Sequence, residues 1–172
     1  MTARRTPGLV LIALAAVLVA FAAAGVCGGV SQLTSRDGEA QAAESAARAF
    51  VLALGTFDYR APHEYTASLA PLTTGPLRDA LAGASVDPVA SSAQRTMTAR
   101  VESASVTSLA GDRATVAVTA TQTRRWVDPS LGDPLHESVT QLVLCQLVRE
   151  DGRWLVTGLE PQAIAGQRPE GR

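Results

Sequence analysis

Hydrophobic and polar positions follow three different patterns along the chain, and each pattern predicts a different kind of element. An unbroken apolar run covers Leu9 to Val30, twenty-two residues without a charged side chain. Between residues 40 and 54, apolar positions recur every three or four residues, which is typical of an amphipathic helix. From about Thr96 the period falls to two, which is typical of half-buried strands. The order predicted is therefore a spanning helix, then shorter helices, then a sheet.

The apolar run predicts a membrane-spanning helix. Such a helix is about 33 Å long at about 1.5 Å per residue, and a hydrocarbon core is about 30 Å thick. Arg4 and Arg5 precede the run and every acidic residue follows it, which favours a single-pass protein of the cell membrane with a cytoplasmic N-terminus and an extracytoplasmic C-terminal domain. Two alternatives stay open: a signal peptide cleaved near Ala22-Ala23-Ala24, and lipidation at Cys27.

The second half of the chain predicts four antiparallel strands. They are expected over Arg95 to Leu109, Arg113 to Trp126, Leu135 to Glu150 and Arg153 to Leu159, and the first is long enough to hold a bulge. Asp151-Gly152 is a strong signal for a tight hairpin turn. Before the strands, helical starts are expected at residue 40, Pro62 and Pro76, whereas residues 83–92 stay ambiguous between a loop and a helical turn.

These elements predict an α+β fold. A transmembrane helix is followed by a cone-like domain, in which about three helices pack on a curved four-stranded antiparallel sheet. The predicted division is a cytoplasmic N-terminus at 1–8, the transmembrane helix at 9–30, a connector at 31–39, the extracytoplasmic domain at 40–160 and a disordered tail at 161–172.

Composition narrows the classes of function. The formal net charge is −1, with 15 basic and 16 acidic residues, and this balance offers no basic surface for nucleic acid. Two cysteines are too few for a disulfide framework, and burial of Cys145 in a strand would make its thiol inert. His63 and His136 have no neighbouring ligand at the spacing a metal site needs. No catalytic residue, cofactor or metal is therefore predicted.

Two short clusters are candidates for a pocket or an interaction surface. Asp58 and Tyr59 are the residue types of an acid–base pair, although their adjacency favours a turn-capping aspartate beside a packed tyrosine. Arg124, Arg125 and Trp126 form a basic-aromatic cluster at a strand end. That cluster is suited to lipid headgroups or a partner protein, and the alternative is a solvated strand end with a packed Trp.

Several short runs, in order and spacing, resemble the Mce-associated membrane proteins of actinobacteria, which are small single-pass proteins encoded beside mammalian-cell-entry lipid transporters. The runs that carry the likeness are Ala46–Phe50, Thr56–Arg60, Leu69–Leu77, Gly111–Val116, Gln122-Thr123 and Asp151–Val156. The extracytoplasmic domain of that family is similar to the nuclear transport factor 2-like, or cystatin-like, cone. The same shape occurs in inner-membrane assembly proteins of type IV secretion and conjugation.

The resemblance implies a non-enzymatic accessory or scaffold role in a cell-envelope complex associated with lipid or sterol transport. It carries over no catalytic residues. Two alternatives stay open: an assembly component of a secretion or conjugation system, and a small-ligand binder that uses the interior of the cone. The expected partners are the membrane, through residues 9–30, and other subunits of an envelope transport complex. No nucleic acid is expected, and a homo-oligomer is left open.

Overall fold

The computed structural model describes residues 36–84, 88–128 and 130–162. Contacts divide the chain into two units, Met1–Glu39 and Ala40–Arg172. The predicted transmembrane helix at residues 9–30 lies outside the described residues, as does most of the predicted disordered tail. Among the described helices, none has the length and apolar character needed to cross a bilayer.

The described helices precede the long strands, as their sequence pattern predicts. Helix α1 covers residues 36–54. Helix α2 is Pro62–Leu69, which begins on its proline as predicted and continues into a 3-10 turn at Ala70–Leu72. Helix α3 is Gly75–Gly83, starting one residue before the expected position, and the ambiguous segment after it contains a short helix α4 at Pro88–Ser92.

The sheet has five antiparallel strands in sequence order and curls into a half-barrel. Strand β1 is Phe57–Asp58, β2 is Thr96–Ala110, β3 is Arg113–Val127, β4 is Pro134–Glu150 and β5 is Arg153–Gln162. The sequence predicts four strands and misses β1, because its two residues are too few to show an alternating pattern. The end of β5 also corrects the predicted tail, since the first two tail residues pair with β4.

Two bulges keep the apolar side of β2 on the core over its fifteen residues. The register against β3 shifts between Val101 and Ser103, and again between Val106 and Ser108. At each bulge the spacing of core-facing residues changes from two to three. The core-facing positions are Met97, Ala99, Val101, Ala104, Val106 and Leu109. The predicted long strand with room for a bulge is confirmed, and its apolar spacing explains where the bulges lie.

Helix α1 packs on the concave face of the half-barrel. Its residues Ala43, Ala47 and Phe50 are fully buried and share one core cluster with Val116 and Val118 of β3. The small alanines let the helix approach the strands closely, and Phe50 supplies the largest of the fully buried side chains. The concave side is therefore a packed core.

Specific contacts fix the direction of α1 along β2. The Glu44 Oε1 atom accepts a hydrogen bond of 3.0 Å from the Val106 N–H. At the other end, a Cβ atom placed on Gly55 would lie 2.3 Å from the Ala99 Cβ. The helix thus runs antiparallel to β2, and it enters beside the far half of that strand and ends beside its first residues.

Candidate functional site

The five candidate residues lie at one end of the sheet. We call it the β1 end, because the short strand β1 is part of this end. Strand pairing places Asp58 opposite Thr96, Thr96 opposite Arg125, and Arg125 opposite His136. Residues paired across antiparallel strands share a face, so these four side chains lie on the outer, convex side. Neighbouring strands are about 4.8 Å apart, so about 10 Å separates the backbones of Asp58 and Arg125.

Arg124 and Trp126 occupy the opposite, concave side at the same end. Arg124 pairs with Glu137, and Trp126 pairs with Leu135. Arg124 is exposed and its Nε donates a 2.9 Å hydrogen bond to Gln122 Oε1, while Trp126 is half-buried. The three-residue cluster is therefore divided between the two faces of the sheet, because successive strand residues point to opposite sides.

Asp58 and Tyr59 form a turn. The exposed Asp58 Oδ1 accepts a 2.9 Å hydrogen bond from the Arg60 N–H, and the Ala61 N–H donates to the Asp58 carbonyl at 3.0 Å. The Arg60 Nε donates to the Tyr59 hydroxyl at 3.3 Å, and its guanidinium carbon lies 5.1 Å from the Tyr59 ring centroid. This hydrogen bond, together with the electrostatic effect of the neighbouring Tyr59 and Asp58 side chains, raises the pKa of the exposed Arg60 side chain. Asp58 therefore caps a turn, which is the role that its position directly before Tyr59 in the sequence favours.

A shallow cavity lies beside Asp58, and a second one lies at the end of β3. The first is about 380 Å³, and Asp58 contributes to its wall together with Tyr65. The second is about 420 Å³ and combines apolar with cationic and amide side chains. It is lined by Gln94, Arg125, Trp126, Val127, Pro134, Leu135 and His136. We call this second cavity the β3–β4 groove.

Helix α4 positions one wall of the β3–β4 groove. Gln94 follows α4 with a φ of 48° in the left-handed region, which turns the chain into β2. The carbonyl of Ala93 then accepts a 2.8 Å hydrogen bond from the Val127 N–H. The turn that precedes β2 is thereby joined to the end of β3. Leu135 and His136 are members of this surface that sequence reasoning did not select, and their pairing with Trp126 and Arg125 is visible only from the strand register.

The remaining polar candidates do not assemble into a reactive centre in the described part of the chain. Cys145 is fully buried, and burial raises the pKa of its thiol from 9.0 to about 12, so the thiolate nucleophile is suppressed at neutral pH. His63 and His136 are both exposed on separate elements. No group of three or more His, Cys, Asp or Glu side chains within residues 36–84, 88–128 and 130–162 is arranged to hold a metal ion.

Comparison with known proteins identifies the fold without a family. No protein-family model matches the chain, and no curated protein matches it. An IcmL-like type IV secretion system protein from Legionella pneumophila has a similar structure, with a TM-score of 0.52 and 14% identity over 71% of this chain and 91% of that one. A periplasmic fragment of TraM gives a TM-score of 0.52 and 9% identity over 72% of this chain and 97% of the fragment.

A nuclear transport factor 2-like protein involved in plasmid conjugation is also similar. Its TM-score is 0.50 and its identity is 12%, over 73% of this chain and 50% of that one. Identities at this level show the fold alone. The chain therefore has a nuclear transport factor 2-like half-barrel, as the resemblance to the Mce-associated proteins implies for its extracytoplasmic domain, but the comparisons do not show membership of that family.

Proposed function

We propose that this chain is a non-enzymatic scaffold subunit of a multi-subunit cell-envelope complex of the secretion or conjugation kind. The observation that carries the proposal is the half-barrel shared with an IcmL-like type IV secretion protein and with a periplasmic fragment of TraM, matched over 91% and 97% of their lengths. A third similar protein is involved in plasmid conjugation. These neighbours favour the secretion and conjugation hypothesis over the lipid-transport hypothesis.

The packing of the described domain supports a scaffold rather than an enzyme. Active sites for small molecules are concave pockets lined mainly by apolar side chains with a few precisely placed polar groups. Here α1 covers the concave face of the sheet, and its Ala43, Ala47 and Phe50 are packed in the core. The carboxylate of Asp58 accepts a backbone hydrogen bond within a turn at the surface. A subunit that acts through its surfaces needs neither an open interior nor a paired acid and base.

The predicted helix at residues 9–30 would hold this domain at the membrane, with the N-terminus in the cytoplasm. The domain would then lie on the extracytoplasmic side, where it meets other envelope subunits. Only the apolar run and the arginines before it support this orientation.

Association with Mce-type lipid or sterol transport is the second candidate, and the short runs that resemble the Mce-associated family favour it. Two of these runs, Gly111–Val116 and Asp151–Val156, begin at hairpin turns of the half-barrel. Gly111, Asp151 and Gly152 have φ values of 60°, 49° and 78°, a conformation that tight hairpins require. Any meander with these turns would select similar residues, so the two runs discriminate poorly between the candidates.

Affinity purification of the full chain from gently solubilised membranes of its own host tests the proposal. We expect secretion or conjugation subunits to be recovered with it. Recovery of transport permeases would favour the second candidate, and recovery of the chain alone would contradict both.

Labelling of intact cells with a membrane-impermeant maleimide tests the orientation. A cysteine introduced at exposed Ser103 should react, and a matched cysteine at Thr6, before the apolar run, should not. The buried Cys145 contributes little background because its thiol pKa is raised to about 12. Labelling at Thr6→Cys without labelling at Ser103→Cys would contradict the proposed orientation.

A further inference from the structure

The cavity beside Asp58 is walled by three segments that meet at the β1 end. The last turn of α1 supplies Leu52 and Ala53, the turn after β1 includes Ala61, and α2 supplies the side that contains Glu64. The volume is about 380 Å³, and we call this space the α1–α2 cavity. All of its wall residues lie between positions 52 and 68, within a continuous part of the chain that the structure describes.

Most of the wall of the α1–α2 cavity is apolar. Leu52 is 40% exposed although it is a large hydrophobic side chain, and the half-buried Ala53 and Ala61 are small. Tyr65, whose ring packs edge-to-face on Phe57, is the aromatic member of the wall. Long basic side chains bury their methylene stems along apolar surface and keep their charged ends near water. An open apolar wall of this kind suits such a stem.

Every hydroxyl group in the wall donates its proton to a main-chain carbonyl. The Thr56 Oγ1 atom donates to the Leu52 carbonyl at 2.7 Å, and the Ser68 Oγ atom donates to the Tyr65 carbonyl at 2.8 Å. The Tyr65 hydroxyl donates to the Leu54 carbonyl at 3.0 Å. A hydroxyl group has one proton and two acceptor lone pairs. These three oxygens therefore offer a ligand only acceptor sites.

Two exposed carboxylates, Asp58 and Glu64, complete the polar part of the wall. Asp58 uses its Oδ1 atom for the Arg60 N–H at 2.9 Å, and Glu64 lies in the first turn of α2. Neither carboxylate forms an ion pair with a basic side chain of the described residues. The last turn of α1 also borders the cavity, and the C-terminal end of a helix carries partial negative charge. The polar part of the cavity is therefore negative and rich in acceptors.

The basic side chains that are nearest in sequence do not belong to this wall. Arg60 is held against Tyr59, with its guanidinium carbon 5.1 Å from the ring centroid and its Nε atom bonded to the hydroxyl at 3.3 Å. Arg48 lies earlier on α1 and is half-buried, and His63 lines a separate groove between α2 and α3. The two carboxylates therefore set the sign of the charge in the α1–α2 cavity.

We propose that the α1–α2 cavity is the docking site for an arginine side chain that projects from a partner protein. The methylene stem of the arginine lies along Leu52, and its guanidinium group donates hydrogen bonds to Asp58 and Glu64. Arginine fits an acceptor-rich wall better than lysine, because guanidinium has five donors in a fixed plane whereas ammonium has three and is more strongly hydrated. The inference rests on the proposed function, in that the partner is another subunit of the same complex.

Titration of the isotope-labelled full chain in non-ionic detergent micelles, followed by amide chemical shifts, tests the docking site. The probe is N-acetyl-arginine methylamide, and the lysine analogue is the comparison. The citrulline analogue, which has nearly the same shape without the charge, and the norleucine analogue, which supplies only the stem, are the controls. We expect saturable shifts within residues 52–68, and a Kd for the arginine probe about three- to tenfold lower than for the citrulline analogue. The Kd of the lysine analogue should fall between them.

Conservative variants of the chain sharpen the test. Asp58→Asn and Glu64→Gln each remove one charge and keep an acceptor oxygen, so each should raise the Kd of the arginine probe by about two- to fivefold. Asp79→Asn removes an exposed carboxylate on α3, outside the cavity, and should leave that Kd unchanged. All three positions are exposed, so the variants are compatible with folding. Added salt should weaken binding of the arginine probe and leave the norleucine analogue unaffected.

Several results would overturn the docking site. Equal binding of the arginine and citrulline probes would show that the carboxylates do not recognise the charge. Shifts that lie outside residues 52–68, or an unchanged Kd in both Asp58→Asn and Glu64→Gln, would place the probe elsewhere. If Ca²⁺ alone shifts the same amides and displaces the arginine probe at micromolar concentration, the two carboxylates bind a metal ion instead.

Purification from membranes separates a failure of this site from a failure of the proposed function. Glu64→Arg places a repelling charge in the cavity, and Asp79→Arg is the matched change outside it. Secretion or conjugation subunits that copurify with the native chain and with Asp79→Arg, but not with Glu64→Arg, support both proposals. Equal recovery with Glu64→Arg leaves the scaffold function standing and overturns the docking site. Recovery of no subunit with the native chain overturns the scaffold function, and the probe titration then decides the docking site alone.

Discussion

Replacement of Gly55 by alanine should destabilise the domain, because this glycine lies at the closest approach between α1 and the sheet. Gly55 is buried, and an added Cβ would lie 2.3 Å from the Ala99 Cβ and 3.2 Å from the Val51 carbonyl oxygen. Carbon atoms in contact normally stay about 3.5–4.0 Å apart. The end of α1 and the start of β2 must therefore separate by about 1 Å or more.

The expected loss of stability depends on how easily the contacted atom, the Ala99 Cβ, can move away. The Ala99 Cβ is attached directly to the backbone of a paired strand, so it has no rotamer through which to move away. Extra methyl groups in a packed core cost about 1–3 kcal/mol, and the rigid neighbour favours the upper half of this range. A loss of this size is a large share of the about 5–15 kcal/mol by which single domains are stable.

Urea unfolding followed by circular dichroism measures the effect, with two matched variants. Gly83→Ala at the end of α3 meets no atom within 4 Å, so it should stabilise the domain by a few tenths to about 1 kcal/mol. Ala99→Gly removes the Cβ atom that the new methyl group would contact. The double variant Gly55→Ala, Ala99→Gly should therefore recover most of the lost free energy of unfolding, apart from about 0.5–1 kcal/mol for placing glycine in a strand. A Gly55→Ala variant as stable as the native chain would refute the proposed close approach.

Three further predictions concern single contacts. Glu44→Ala should cost about 1 kcal/mol in urea unfolding because it leaves the Val106 N–H without its acceptor, while Glu44→Gln, which keeps an acceptor oxygen, should cost less. Tyr65→Phe should cost about 0.5–1.5 kcal/mol, because the Tyr65 hydroxyl donates a 3.0 Å hydrogen bond to the Leu54 carbonyl; an unchanged stability would contradict this. Burial raises the pKa of the Cys145 thiol from 9.0 to about 12. Between about pH 9 and pH 12 the thiol therefore ionises in the unfolded chain but stays protonated in the folded one. The stability that the protonated thiol contributes is complete below pH 9 and is lost as the pH rises through this range. In Cys145→Ala the fall in stability over that pH range should be shallower, and an identical fall would show that the thiol does not contribute.

The long strands could be predicted from the sequence because each buries one face. In β3, the alternation of Ala114, Val116, Val118 and Ala120 predicts the buried face, and all four are at most 5% exposed. Asp151-Gly152 predicts the following hairpin, because few residue pairs tolerate positive φ at both positions. These elements depend on residues that are close together in the chain, so they can be predicted from a single sequence.

The candidate site could be predicted only in part. The sequence singles out Asp58 and Arg125, but it cannot place them on the same face, because that depends on Thr96 pairing with both. The strand that holds Asp58 is two residues long, too short to have a period. Its formation depends on tertiary contacts, including the edge-to-face packing of Phe57 on Tyr65 with ring centroids 5.5 Å apart.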